Sequence, residues 1–217
     1  MSIAAACAVA DAIKANPDLT LCLPAGTTPT GTYRELMQLQ KTQNLDFSHI
    51  TFFYLDEFVG LADDHPESFR TYLNREVFQP GRVLPAQIHA PDLNYEETIR
   101  SCGGIDLLLC GIGANGHIAF NEPGSLPDSR TRIVSLAEST LHRLQGKFKP
   151  EEMPRQAITM GLATILEARE ILLLASGPEK ASILARATVG PITTDVPASV
   201  LQLHPNCTVI TDQAISS

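Results

Sequence analysis

Residues 105–117 read Ile105-Asp106-Leu107-Leu108-Leu109-Cys110-Gly111-Ile112-Gly113-Ala114-Asn115-Gly116-His117, an apolar run that passes directly into a glycine-rich turn ending on a histidine. A run this short, without polar alternation, suits a strand buried on both faces of a parallel sheet. Four further runs share its character: Leu19 to Pro24, Ile50 to Leu55, Ile171 to Ala175 and Cys207 to Ile210. Between the runs lie segments with helical spacing, Thr32 to Leu39, Ser68 to Val77, Met160 to Arg169 and Glu179 to Ala187. Strand and helix alternate over 217 residues. That alternation predicts an α/β fold, a single doubly wound Rossmann-like domain over 1–217 with a mainly parallel sheet and helices on both faces.

The formal net charge of −8 opposes a nucleic acid or an anionic membrane as the principal partner. A phosphorylated small molecule remains compatible with it, because a local pocket can carry the opposite sign. Five scattered cysteines, Cys7, Cys22, Cys102, Cys110 and Cys207, form no disulfide framework and point to a reducing, cytoplasmic setting. The apolar start Ser2 to Ala10 lacks a basic leader and runs into Asp11 and Lys14, so it reads as the first turns of an amphipathic helix. No apolar run approaches membrane-spanning length. The stretch Pro123 to Pro154 is the least regular of the chain and carries Arg130, Arg132, His142, Arg143, Lys147 and Lys149. It reads as an insertion over the sheet edge, with a lid expected at 136–154.

The unusual polar clusters follow the apolar runs directly: AGTTPTG at 25–31, DEFVG at 56–60, GIGANGHIAFNEPG at 111–124 and SGPEK at 176–180. In a doubly wound sheet the carboxyl ends of the strands share one edge, so these clusters converge on one crevice. Gly26, Thr27 and Thr28 lie between a strand and a helix, where backbone amides and hydroxyls suit a phosphate; a plain capped turn is the simpler alternative. Lys180 opens a later helix at the same edge and can meet a phosphate as a point charge. Asp56 and Glu57 end a strand on alternate sides, so one can reach the crevice as a general base while the other holds a structural partner; two helix-capping acids are the alternative. Three glycines present His117 at the crevice, where Glu122 or Asn115 can orient the imidazole for proton transfer. Cys110, His117 and Glu122 have no spacing suited to zinc, and no metal is expected.

From about Leu21 to Asp212 the chain resembles the glucosamine-6-phosphate deaminase family, within the wider group that includes the 6-phosphogluconolactonases. GIGANGHIAFNEPG carries the resemblance most specifically, with LPAGTTPTGTY, YLDEFVGL, HPES, SRTRI, ITMG, SGPEKA and LQLHPN in order around it. The lactonases share the GHxA core but generally lack the FNEP continuation, so Phe120 to Pro123 favour the deaminases. The resemblance implies conversion of an amino-sugar phosphate and water into a keto-sugar phosphate and ammonia, without a cofactor. It gives Asp56 the C2 proton, His117 the ring-opening proton, Glu122 the place of carboxylate partner and Asn115 the third ring-opening position, where many members carry Asp. Gly26 to Thr28 and Lys180 match the phosphate cradle, with Lys147 or Arg143 in place of a lid arginine. Arg132 matches one member of a basic effector cluster, but Val134 stands where a second cation is expected. Activation by N-acetylglucosamine 6-phosphate is therefore expected to be weak or absent. The epimer, glucosamine or galactosamine, and assembly into a homo-oligomer stay open, and a lactonase and a non-catalytic sensor are the alternatives.

Overall fold

The computed structural model describes residues 1–62 and 64–212, with the Arg143 side chain outside that description. In chain order the elements are α1 (Ser2–Ala15), β1 (Thr20–Leu23), α2 (Thr30–Gln43), β2 (Thr51–Tyr54), β3 (Asp56–Phe58), α3 (Phe69–Leu73), β4 (Ile88–His89), α4 (Tyr95–Ser101) and β5 (Leu107–Gly111). They continue with β6 (Arg132–Ser135), α5 (Glu138–Leu144), β7 (Gln156–Thr159), α6 (Leu162–Leu166), β8 (Glu170–Ala175), α7 (Ala181–Thr188) and β9 (Cys207–Thr211). The principal sheet has six strands in the order β4-β2-β1-β5-β8-β9, and every pairing in it is parallel.

The unbroken apolar runs are explained by burial on both sides. Leu21, Leu23, Phe52, Tyr54, Leu107, Leu109, Leu172 and Leu174 face α1 and α2 in one core. Their alternating neighbours Cys22, Phe53, Leu108, Cys110, Ile171 and Leu173 face α4, α6 and α7 in another. Successive strands run outward from β1 in one direction to β2 and β4, and from β5 in the other to β8 and β9. The reversal lies between β1 and β5, and a crevice opens there at the carboxyl ends of the strands.

Two expectations change. Pro123 to Pro154 is not wholly irregular: it contains β6 and α5, and β6 joins β7 and β3 in a second, antiparallel sheet. Phe58, Phe120, Leu136, Leu144, Phe148 and Ala157 pack as the core beneath this sheet. The helical segments also shift in extent. Thr32 to Leu39 lengthens into α2, Met160 to Arg169 shortens to α6, and Ser68 to Val77 splits into α3 and a π-helical turn over Asn74–Phe78. α2 closes on Asn44 with φ 52, a left-handed cap that asparagine tolerates.

Candidate active site

A cavity of about 310 Å³ opens at the switch point and draws on four distant stretches of chain. Pro24 to Pro29 after β1, Asp56 and Phe58 after β2, Gly111 to Gly113 with His117 after β5, and Lys180 after β8 all line it. The sequence clusters at 25–31, 56–60, 111–124 and 176–180 therefore meet in space. α5 and the turn after it add Thr140, Leu144 and Lys147 to the same wall.

Asp56 and Glu57 divide their tasks as the alternation of a strand requires. Asp56 is 7% exposed and turned into the cavity. Burial, with the charge of Glu57 behind it, pushes its carboxyl up to about 8. Glu57 points the other way and caps α3: its carboxylate accepts from Phe69 N at 3.0 Å and Arg70 N at 2.9 Å, and from Phe58 N at 2.9 Å. One acid thus serves the helix dipole and the other the crevice.

The histidine is held by its own loop. Gly113 N donates to His117 O at 2.9 Å, and a Cβ at Gly113 would overlap the imidazole. Gly116 has φ +86 and lies against Val196, which leaves room for glycine alone. The ring is mostly enclosed, with 18% of the side chain exposed, rather than standing open at the crevice. Asn115 sits between it and Glu122. The Asn115 amide nitrogen donates to Glu122 Oε2 at 2.6 Å, and its Oδ1 lies 2.6 Å from His117 Nδ1. Burial raises the Glu122 carboxyl, but hydrogen bonds from His117 and Asn115 outweigh that, and the net displacement is downward. An ionised Glu122 can only accept, so the Asn115 amide must turn its nitrogen there and its oxygen to the ring. Nδ1 then carries the hydrogen, and Nε2 keeps its lone pair to take a proton. Glu122 itself is 3.5 Å from Nδ1, so the direct orienter is Asn115. Thr140 Oγ1 donates to the other carboxylate oxygen at 3.4 Å.

Gly26 to Thr28 form the turn into α2, and Thr30 N closes it on Thr27 O at 3.3 Å. Lys180 Nζ donates to Ile112 O at 2.8 Å while lining the cavity, so the glycine loop after β5 fixes its ammonium. Asn121, fully buried, is structural: its amide donates to Ile118 O and Met160 O, and its oxygen accepts from Arg132 at 2.9 Å. Phe69, not singled out from the sequence, also lines the site, together with Glu67 and Phe120, which the sequence offered only as members of HPES and FNEP. Phe69 and Phe120 stack at 5.9 Å, and Phe58 leans on both. HPES and FNEP held the only sequence signal for this wall. Among the described residues no three His, Cys, Asp or Glu side chains gather as a metal site, and no helix is long and apolar enough to cross a membrane.

Comparison with known proteins follows the same lines. The family model for glucosamine-6-phosphate isomerases/6-phosphogluconolactonase matches residues 3–210. Glucosamine-6-phosphate deaminase 2 of Bacillus subtilis is 44% identical, over 94% of this chain and 87% of its own. Glucosamine-6-phosphate deaminase of Rhodopirellula baltica is 44% identical over 96% and 88%. A solved monomeric glucosamine-6-phosphate deaminase superposes with a TM-score of 0.91 at 43% identity, covering 97% of this chain and 92% of that one. The 6-phosphogluconolactonase of Leishmania guyanensis shares the fold, with a TM-score of 0.72 at 18% identity, over 95% of this chain and 91% of that one. A family model spanning nearly the whole chain, with relatives at 44% identity along most of their length, shows that the chain belongs to the glucosamine-6-phosphate isomerase/6-phosphogluconolactonase family.

Proposed function

We propose that the protein is a glucosamine-6-phosphate deaminase: it opens the sugar ring, isomerises aldose to ketose and releases ammonia, giving fructose 6-phosphate. The observation that carries this reading is one cavity holding both a desolvated carboxylate, Asp56, and a histidine whose tautomer is fixed, His117. A lactonase has no proton to remove from carbon. Relatives at 44% identity named as glucosamine-6-phosphate deaminases support the same choice.

In the proposed mechanism the phosphate lies against Gly26, Thr27 and Thr28, with Lys180 and Lys147 supplying positive charge. His117 Nε2 takes the proton of the C1 hydroxyl and returns one to the ring oxygen, which frees the C1 aldehyde. Asp56 then takes the C2 proton, the electron pair moves through C1–C2 to the carbonyl oxygen, and the C2 ammonium gives that oxygen a proton, leaving an enaminol. Protonation at C1 leaves an imine at C2; water adds there and ammonia departs. A carboxyl held near 8 both accepts and returns a proton at working pH. The ammonium of a bound amino sugar beside Asp56 favours its ionised form and so prepares the base.

The segment 136–154 serves in this proposal as the lid that brings Lys147 to the phosphate, and the domain as one catalytic unit. A solved monomeric glucosamine-6-phosphate deaminase at 43% identity supports activity as a monomer. The five cysteines are free thiols, in keeping with a cytosolic enzyme of amino-sugar catabolism.

The test is ammonia release by the purified protein on glucosamine 6-phosphate and galactosamine 6-phosphate, with Asp56→Asn as the blank. Release from the glucosamine epimer, absent in the variant, supports the proposal. Binding of both sugars without ammonia from either overturns it.

A further inference from the structure

Gly26 has φ +116, and a Cβ built there meets nothing within 4 Å. Steric contact therefore does little to fix the most permissive residue of the phosphate loop, and hydrogen bonds must do so instead. α2 supplies the first: Thr30 Oγ1 donates to Gly26 O at 3.2 Å. With its hydrogen committed, the same oxygen accepts from the Tyr72 hydroxyl at 2.9 Å, so the donors run from Tyr72 through Thr30 to Gly26. The C=O and N–H of one planar peptide point in opposite directions. Drawing the Gly26 carbonyl to Thr30 turns the Thr27 N–H of the same peptide away from that bond, and Gly26, Thr27 and Thr28 all line the cavity.

Tyr72 is itself well anchored. Its ring packs beside Tyr33 at 6.3 Å, and the Arg75 guanidinium lies over it at 5.5 Å. Tyr33 holds the other end of the loop, donating from its hydroxyl to Pro24 O at 2.5 Å. Tyr72 also stands on α3, the helix whose first amides Glu57 caps beside Asp56. A continuous chain of contacts therefore joins the base strand to the phosphate loop through α3.

We propose that Tyr72 is a positioning residue: through Thr30 its hydroxyl sets the Gly26–Thr27 peptide for the substrate phosphate, and through α3 it registers that loop against Asp56. The substrate named here rests on the deaminase reading, whereas the phosphate-loop role does not. Neither hydroxyl reaches the reacting carbons in this scheme, so the effect falls on phosphate affinity and not on turnover.

The test compares wild type, Tyr72→Phe, Thr30→Val and the double variant, in steady-state kinetics on glucosamine 6-phosphate and in calorimetric titration with inorganic phosphate. Tyr72→Phe keeps the ring and its packing, and thermal melting verifies the fold. The expected result is a rise in both KM and phosphate Kd of about 3- to 10-fold, the effect of one neutral hydrogen bond, with kcat changed less than about twofold. The double variant is expected to match the worse single one, because the two hydroxyls act in series. Unchanged KM and phosphate Kd in Tyr72→Phe, a fall in kcat alone, or fully additive losses would each overturn the proposal. If wild type releases no ammonia from either amino-sugar phosphate, the deaminase reading fails, and the phosphate titration still decides the role of Tyr72.

Discussion

Replacing Asp56 by Asn separates stability from activity, because the same burial that readies the carboxyl for catalysis opposes its charge. The carboxyl ordinarily titrates near 3.8 and in the fold near 8. A group whose folded pKa is raised contributes fully to stability below its unfolded value, and that contribution is withdrawn as pH climbs toward the folded one. Between pH 5 and 8 wild type thus loses up to about 1.4 kcal/mol per pH step relative to Asn, which stays neutral throughout. The ceiling is about 4 kcal/mol over that span, and relaxation with water entry reduces it to about 2–4 kcal/mol. Urea denaturation of both proteins at pH 5, 6, 7 and 8 without ligand measures the gap. Asn is expected to gain on wild type at every step, with the difference in urea midpoint widening by about 1 M in total, from a slope of about 3 kcal/mol/M for a chain of this size. Parallel curves, or a gap that narrows with pH, would refute the burial argument. The same variant is expected to bind substrate while its exchange of the C2 hydrogen with solvent falls by about 10²- to 10⁴-fold.

His117→Gln is expected to reduce turnover of the cyclic substrate by about 10²-fold or more, and an open-chain analogue much less; equal losses on both would assign the ring a later step. Gly113→Ala forces the imidazole off Asn115, and kcat is expected to fall at least about 10-fold, with phosphate binding by calorimetry unchanged. Arg132 is engaged by Asn121 and Ser125, and Val134 offers no second cation. N-acetylglucosamine 6-phosphate is accordingly expected to leave the half-saturating substrate concentration unaltered, and a several-fold decrease would contradict that.

The principal sheet was legible because residues buried on both faces must be apolar without interruption, as Leu107 to Cys110 and Ile171 to Ala175 are. Strand order followed less directly, and β4, only Ile88–His89 at the edge, is too short to leave a pattern. The second sheet escaped notice for a physical reason: β6 is half-buried, with Ile133 44% exposed and Arg132 bonded sideways, so it has no apolar run. The site polar groups were legible as clusters after strands, since chain topology alone gathers them. Strand alternation alone left open which of Asp56 and Glu57 faces inward, because that depends on where α3 lies; the family resemblance supplied Asp56. The central place of Asn115 was not legible, since it needs a distance. The Tyr72–Thr30 contact joins residues 42 apart and has no local signature at all.

The Asp56–Glu57 pair is also ordered, although a composition count sees only two acids. A strand alternates its side chains, so exchanging the two, Asp56→Glu together with Glu57→Asp, would send the longer arm into a cavity fitted to the shorter one. The shorter arm would fall short of the two α3 amides that Glu57 reaches at 3.0 and 2.9 Å. A single-residue deletion just before the pair has a related effect, exchanging inward and outward faces along β3 while leaving both acids present. The dipeptide is in this sense a directional key whose charge, mass and hydropathy survive inversion while its fit does not.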